Sequence, residues 1–206
     1  VTRKYGDYTA VDRISFEIPQ GQIVGLLGHN GAGKTTCLKM LTGYLEPTTG
    51  TITVGGLDIT QHRLAVQKKI GYLPENSPTY PDMTIVAYLD YVMSLRFVNE
   101  NEKIEKIKNA LAKTALTQRA FDKIGTLSKG YKQRVGVAQA ILCQPEIFIL
   151  DEPTSGLDPS QILEMRHLIR ALGKNSTVIL STHILQEVEA ICDRVIIILQ
   201  GKVAKD

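Results

Sequence analysis

A glycine-rich stretch near the beginning of the chain limits what the chain can fold into more than any other feature. Residues 28–36 read GHNGAGKTT and follow the apolar run Ile23–Leu27. This is the GxxxxGK[ST] spacing of a phosphate-binding loop, which lies between a strand and a helix. Its glycines let successive backbone N–H groups turn inward, and the N-terminus of the following helix adds partial positive charge. The sequence therefore predicts a binding site for a polyphosphate.

The side chains of this loop have different predicted tasks. Lys34 is predicted to reach the β- and γ-phosphates, and the Thr35 hydroxyl is predicted to ligate the Mg²⁺ that bridges them. A glycine-rich turn with a lysine nearby is the competing interpretation, but the strand and the helix that the motif requires are predicted on its two sides. The residues predicted to contact the nucleotide here are Gly28, His29, Asn30, Gly31, Ala32, Gly33, Lys34, Thr35 and Thr36.

Composition narrows the class of protein. The chain has 206 residues, 43% of them hydrophobic, which is enough to bury a core. Its net charge is +3 with acids and bases interspersed, so nucleic acid is not an expected partner. Apolar runs such as 195–199 are far shorter than the roughly 20 residues that span a bilayer. Three widely spaced cysteines and no visible signal peptide indicate reduced thiols and a cytoplasmic location.

Strand-like and helix-like segments alternate along much of the chain. A small β layer is predicted over residues 3–18, and strand-like sequence already under way so near Val1 suggests that a few residues are missing from the beginning. The alternation predicts an α/β fold with a doubly wound, mainly parallel sheet. The other predicted strands cover residues 23–27, 51–54, 70–73, 147–150, 178–180 and 195–199, and the predicted helices between them cover 34–41, 160–172 and 184–192.

Residues 76–145 interrupt this alternation with a mainly helical segment. At the beginning of this segment, helix formation is disfavoured by Pro74, Pro78 and Pro81. Regular structure resumes after the predicted N-cap Thr84. A polar helix follows, with an apolar face predicted at Ile104, Ile107 and Leu111. We predict a single domain over 1–206, with a core and β layer from 1–75 and 146–206 and a helical subdomain over 76–145.

Two acids, Asp151 and Glu152, end the apolar run 147–150. In parallel sheets the carboxyl ends of the strands form the edge that binds ligands. Asp151 is predicted to hold Mg²⁺, usually through water, and Glu152 to polarise the water that attacks the γ-phosphate. The simpler interpretation is a pair of strand-end acids in the turn before Pro153. However, an apolar strand that ends in two acids downstream of a phosphate-binding loop favours a site of nucleotide hydrolysis.

Together these motifs resemble the ATPase domains of ABC transporters. The resemblance covers nearly the whole chain and implies ATP and Mg²⁺ as cofactors and an ATP-hydrolysing activity that drives transport. The form of the motifs is more similar to that of exporters whose membrane part is a separate subunit. The matching segments, in the family's order and spacing, are GHNGAGKTT at 28–36, GYLPE at 71–75, LSKGYKQR at 127–134, ILDEPTSGLDP at 149–159 and STH at 181–183.

The resemblance also implies a second ABC ATPase domain as partner, in a homodimer or a heterodimer packed head to tail. Each ATP would lie between the loop of one domain and the signature segment of the other, where Ser128 and the Gly130 N–H contact the γ-phosphate. His183 matches the histidine that bonds the γ-phosphate. Tyr5 matches the aromatic residue that stacks on adenine, with Tyr8 as its rival.

Two positions depart from the family pattern. The common signature is LSGGQ, whereas Lys129 and Tyr131 replace its first glycine and its glutamine here. The family's Q-loop glutamine aligns with Glu75, which can still ligate Mg²⁺ through an oxygen but adds negative charge near the phosphates. Asp158 matches the loop that crosses the dimer interface, although an Asp-Pro turn needs no such explanation.

The leading functional hypothesis is an ATPase subunit that works with an integral membrane permease. The helical insertion would dock on the permease and hold the ATPase at the inner face of the cell membrane. A soluble, non-transport ABC ATPase acting on nucleic acid or the ribosome is the alternative, but no coiled coil, zinc knuckle or tandem cassette supports it. A kinase or GTPase is disfavoured because LSKGY has no place in those proteins and no guanine-reading motif is present.

Overall fold

A computed structural model describes residues 1–77, 79–96 and 98–206, so Pro78 lies outside the described residues. The strands are β1 (Arg3–Tyr5), β2 (Tyr8–Val11), β3 (Ile23–Leu27), β4 (Thr53–Val54), β5 (Leu57–Asp58), β6 (Ile70–Leu73), β7 (Ile147–Asp151), β8 (Thr177–Thr182), β9 (Arg194–Leu199) and β10 (Lys202–Lys205). The helices are α1 (Lys34–Leu41), α2 (Arg63–Lys69), α3 (Ile85–Leu95), α4 (Glu100–Lys113), α5 (Lys129–Ile141), α6 (Pro159–Gly173) and α7 (Leu185–Ile191).

Six of these strands form one sheet in the order β10–β9–β3–β8–β7–β6. Every neighbouring pair is parallel except β9 and β10. Two hairpins, β1–β2 and β4–β5, add small antiparallel elements. The predicted α/β class with a mainly parallel sheet is confirmed. Because β3, β6, β7 and β8 run in the same direction, their carboxyl ends lie along one edge.

The two faces of the sheet bury different side chains, since these alternate along each strand. On one face Ile149 and Ile179 belong to a buried cluster that includes residues of α1. On the other face Leu150 belongs to a cluster that continues into α3, α4, α5, α6 and α7. With both faces covered, the strands are nearly continuous apolar runs. Asp151 and Ser181 are two positions beyond Ile149 and Ile179 and therefore fall on the face that α1 covers.

The helical segment follows the prediction with one exception. The Thr84 hydroxyl accepts a hydrogen bond from the Ala87 N–H at 3.3 Å and caps α3 as predicted. Ile104, however, is 66% exposed, so the apolar face predicted for α4 was wrong at that position. Lys103 is buried instead, because its ammonium group donates to Ser94 Oγ at 2.8 Å and lies 3.7 Å from the Asp90 carboxylate of α3. An ion pair thus fills the place that was predicted for an isoleucine.

Several local predictions were wrong outside this segment. The predicted β layer extends only to Val11, because residues 12–22 form no strand, and the strand predicted over 51–54 is limited to Thr53–Val54. Helix α2 and strand β10 were not predicted.

Candidate active site

The loop over residues 28–36 joins β3 to α1 and needs glycine at two positions. A Cβ atom at Gly28 would collide with a backbone oxygen of β9. Gly33 has a φ of 105° and a Cβ there would lie 2.7 Å from a backbone oxygen of β2. Larger residues would therefore push the loop away from the sheet. The tip of the loop, residues 29–31, is exposed and open to a ligand.

Lys34 begins α1 and is buried together with the acid that follows β7. Its ammonium group donates to the Gly28 carbonyl oxygen at 2.7 Å and to the His29 carbonyl oxygen at 3.3 Å. It also lies 3.4 Å from Glu152 Oε1. A buried cation requires such partners because desolvation is costly. The loop lysine and the Glu152 carboxylate, 118 positions apart in the numbering, are thus neighbours at the edge of the sheet.

Asp151 is completely buried and is held by the neighbouring strand. The register of β7 and β8 pairs it with Ser181, whose hydroxyl donates to Asp151 Oδ1. The same hydroxyl oxygen accepts a hydrogen bond from the Glu152 N–H at 3.2 Å. Oδ2 of Asp151 is buried and has no hydrogen-bond partner within the described chain. The carboxylate is therefore oriented through one oxygen and has the other available for a ligand.

Glu152 combines a strained backbone with a buried side chain. Its φ is 47°, a left-handed conformation that costs a residue other than glycine about 1–2 kcal/mol. Such strain is concentrated at functional sites. Oε2 lies 3.0 Å from Nδ1 of His183, the residue after β8, whose side chain is 43% exposed. The carboxylate thus lies between the Lys34 ammonium and an imidazole that reaches solvent.

The same edge offers oxygen atoms suited to Mg²⁺. Thr35 lies half-buried in the first turn of α1, and Asp151 contributes its unpartnered Oδ2. Mg²⁺ at nucleotide sites is held by one or two protein oxygens together with substrate phosphates and water. The hydroxyl of a half-buried threonine and a buried carboxylate oxygen beside a phosphate-binding loop fit that requirement.

Two residues at the end of β6 belong to the same edge. Glu75 follows the strand and is exposed. Tyr72 is half-buried, and its hydroxyl oxygen has no hydrogen-bond partner within the described chain. Burial, together with the negative charge of Asp151, raises the pKa of Tyr72. The phenol is therefore a neutral hydrogen-bond donor close to the acid pair.

The other predicted ATP contacts have different neighbours in the chain. Ser128 is the exposed N-cap of α5 and makes no capping hydrogen bond within the described residues. The atoms nearest to a Cβ built at Gly130 all belong to Gln161 of α6, the closest at 2.6 Å. Tyr5 is 47% exposed, and the Arg3 guanidinium carbon lies 4.7 Å from its ring centroid. The neighbours given for Tyr5 and Gly130 are thus Arg3 and α6 rather than residues of the sheet edge.

Sequence reasoning missed the part that Ser181 plays. In the sequence Ser181 is simply the first residue of the STH segment at 181–183, yet its hydroxyl joins the Asp151 side chain to the Glu152 backbone. A hydroxyl residue directly after the apolar run 178–180, on a strand beside the one that ends in two acids, was the available signal. Strand order, which the sequence does not state, was needed to interpret it.

A phosphate-binding loop whose lysine contacts a strand-end carboxylate defines the chain as a P-loop nucleoside triphosphatase domain. A family model described as ABC transporter matches residues 11–155. The chain belongs to that family and is one of its ATP-binding, ATP-hydrolysing domains, as the resemblance of its motifs indicated.

Individual relatives agree with this membership. YxlF of Bacillus subtilis strain 168, an uncharacterized ABC transporter ATP-binding protein, is 41% identical over 202 residues, which are 98% of this chain and 67% of that protein. The bacitracin transport ATP-binding protein BcrA of Bacillus licheniformis is 38% identical over 208 residues, with 100% of this chain and 67% of that protein covered. The chain therefore spans about two-thirds of the length of these two relatives.

Among solved structures, cbiO1 from Clostridium perfringens, part of the ABC transporter complex cbiONQ, superposes with a TM-score of 0.88 at 28% identity. The match covers 99% of this chain and 84% of that one. Along the residues that the structure describes here, no helix has both the length and the apolar character needed to cross a bilayer.

Proposed function

We propose that ATP binds along the loop over residues 28–36 of this chain and is hydrolysed at the adjoining sheet edge. The N–H groups of the loop and the beginning of α1 would hold the phosphates, and Lys34 would turn its ammonium group to the β- and γ-phosphates. Tyr5, half-exposed on β1, would stack on adenine, and Tyr8, 62% exposed, is its rival.

One observation carries the catalytic part of the proposal, namely the position of the Glu152 carboxylate between Lys34 and His183. A buried carboxylate beside a loop that holds phosphates is placed to accept a proton from the attacking water. His183 orients this carboxylate through Oε2, and its exposed side chain can also reach the γ-phosphate. Asp151 then acts as a ligand and Glu152 as the base.

Thr35 and Asp151 would hold Mg²⁺, with Glu75 as a further oxygen donor from the end of β6. When bound, Mg²⁺ would supply positive charge that stabilises the negative charge developing on the phosphates. The Ser181 hydroxyl fixes one oxygen of Asp151, so the free oxygen keeps a constant direction. This rigidity supports the assignment of Asp151 rather than Glu152 to the metal.

Ser128 and Gly130 would complete the site of a second ABC ATPase domain, identical or different, in a head-to-tail dimer. The first turn of α5 contains no acidic residue, so its N–H groups favour an anion. Ser128 is exposed there with its hydroxyl free for an external partner. Asp158, at the beginning of α6, would contribute to the same interface.

The dimer would drive substrate movement, in the direction of export, through a separate integral membrane permease. BcrA is named for bacitracin transport and cbiO1 for its place in a transporter complex, which supports a transport function. The helical insertion over 76–126 would dock on the permease and hold the chain at the inner face of the cell membrane. An apolar groove between α2 and α3, lined by Tyr44, Leu64 and Leu95, offers such a surface.

Purification of the tagged full-length Glu152→Gln protein from solubilised membranes with ATP and Mg²⁺ tests this function. We expect a membrane-spanning protein to co-purify in a stable stoichiometry, with Lys34→Ala as the control that fails to form the ATP-bound assembly. Recovery with ribosomes or nucleic acid, and with no membrane protein, would instead support the soluble alternative, which no observation favours at present.

A further inference from the structure

Tyr131 stands where the family's common signature has a glutamine, and its ring lies between two cations. The guanidinium carbon of Arg119 is 4.3 Å from the ring centroid, and that of Arg134 is 5.7 Å away. A guanidinium within about 6 Å of a ring centroid is attracted by the aromatic quadrupole. Tyr131 is in the first turn of α5, three residues after Ser128, so these contacts act directly on the signature segment.

Both arginines are themselves fixed by other parts of the chain. Arg119 Nη1 donates to Asp122 Oδ2 at 3.0 Å within the segment that joins α4 to α5. Arg134 Nη1 donates to the Thr114 carbonyl oxygen at 3.2 Å at the end of α4, and its Nη2 pairs with Glu164 of α6. The ring therefore sits at the junction of three elements rather than at a freely moving surface.

A second set of contacts joins the same turn to α6. Gly130 leaves no room for a Cβ because the Gln161 side chain lies against it. Gln161 is held in turn by Asp158, since the two residues form a capping box at the beginning of α6. Lys129, the other departure from the common signature, places its ammonium group where a Cβ of Gly156 would be. The signature turn is thus held against the segment that follows Glu152.

A purely structural aromatic residue is the simpler interpretation, since Tyr131 also packs against the large buried cluster. That interpretation requires only apolar bulk. It does not account for two guanidinium groups on one half-buried ring, each with an acidic partner of its own. This arrangement fixes the direction of the ring as well as its burial.

We propose that Tyr131 is a positioning residue: its ring, held between Arg119 and Arg134, sets the direction of the first turn of α5 and so of Ser128 and Gly130. The residues that replace the usual glycine and glutamine would tie the signature segment to α4 and α6 of the same chain. The inference rests on the proposed head-to-tail dimer, in which Ser128 and Gly130 contact ATP bound to the partner domain.

The test compares variants in the Glu152→Gln protein, in which ATP-bound dimers should accumulate. Tyr131→Gln restores the common signature residue but removes the ring, and we expect the ATP-dependent dimer association constant to fall about tenfold. Tyr131→Phe keeps the ring and should recover most of this loss. Phe121→Gln makes the same aromatic-to-amide change in the neighbouring segment, where Phe121 is 81% exposed, and should change nothing. Sedimentation gives dimerisation, and a fluorescent ATP analogue gives the affinity of the monomer.

The outcomes separate the inference from the function on which it rests. Unchanged monomer affinity with a weakened dimer, rescued by Tyr131→Phe, supports positioning. The inference would be overturned if Tyr131→Gln dimerised as strongly as the protein that retains Tyr131. It would also be overturned if both Tyr131 variants lost the dimer only in proportion to a lower melting temperature. If the Glu152→Gln protein itself fails to dimerise with ATP, the dimer proposal fails instead, and the inference falls with it.

Discussion

The sheet edge around Glu152 and the signature segment around Ser128 are both proposed to contact ATP, yet the chain builds them in opposite ways. At the edge, the buried Ser181 hydroxyl donates to the buried Asp151 carboxylate, and the buried Lys34 ammonium group lies 3.4 Å from the Glu152 carboxylate. At the signature segment, Ser128 is exposed and makes no capping hydrogen bond in the described chain. The nearby Arg119 guanidinium lies over the Tyr131 ring.

The difference indicates which parts of the proposed reaction one chain can supply alone. A buried, mutually bonded set of polar groups is already oriented and needs little further ordering when a ligand arrives. An exposed helix N-terminus with a free hydroxyl is a surface for something outside the chain. Variants at the edge should therefore change binding and hydrolysis in one domain, and variants at the signature segment should change only what depends on the partner.

The largest effect is expected from Lys34→Ala. Removing the loop lysine deletes the cation proposed to contact the β- and γ-phosphates, so ATP hydrolysis should fall about 10²–10³-fold. The measurement is steady-state phosphate release, with the melting temperature as a check that the fold is intact. Wild-type hydrolysis in this variant would remove the proposed site altogether.

The next effect is expected from Glu152→Gln. The amide keeps the shape of the side chain but cannot accept the proton, so hydrolysis should slow by ~10² or more, about 2.7 kcal/mol of barrier. Nucleotide affinity, measured by calorimetry, should be retained. Loss of affinity equal to that of Lys34→Ala would show that the carboxylate acts in binding and not as the base.

A matched pair of serine substitutions examines the two regions directly, beginning with Ser181→Ala at the edge. The change removes the donor to Asp151, and such a loss in a buried site costs about 1–3 kcal/mol. It also removes one of the two acceptors of the Glu152 N–H, which keeps the Ser181 carbonyl oxygen at 3.1 Å. Hydrolysis should fall roughly thirtyfold and denaturant unfolding should show reduced stability. A stable and fully active variant would mean that Asp151 is oriented by other groups.

The second member of the pair, Ser128→Ala, changes a hydroxyl that makes no capping bond within the described residues. Stability and single-domain ATP affinity should therefore stay the same. The ATP-dependent dimer of the Glu152→Gln protein should weaken about tenfold, because a hydrogen bond to a charged phosphate is lost. Sedimentation in ATP measures this. If monomer affinity falls instead, the contrast between the two regions is wrong.

The smallest effect is expected from Glu75→Gln, which restores the family's usual residue at the end of β6. Both side chains offer an oxygen at nearly the same reach, and removing one negative charge beside Asp151 and Glu152 should tighten Mg-ATP binding, by about twofold. Mg²⁺ titrations of the ATPase activity in the two proteins compare them. A large rise in the Mg²⁺ requirement of the variant would make Glu75 a primary metal ligand.

The sequence by itself was enough to predict the sheet edge. The spacing from Gly28 to Thr35 has one well-known geometry, and short continuous apolar runs such as 147–150 are typical of strands with both faces covered. A strand that ends at Asp151 in a parallel sheet must bring its acids to the same edge as the loop. These conclusions need only local pattern and strand direction, and the structure agrees with them.

Tertiary structure alone decided how individual side chains are used. Pattern assigned Ile104 to the buried face of α4, but the acids of neighbouring turns bury Lys103 instead. Strand order made Ser181 the partner of Asp151. The fold brought Arg119, from the segment between α4 and α5, onto the Tyr131 ring, whereas Arg134 reaches that ring from the next turn of α5. Lys103 and Asp90 are 13 positions apart, and Asp151 and Ser181 are 30 positions apart on different strands, so these pairings are set by the whole fold rather than by any local period.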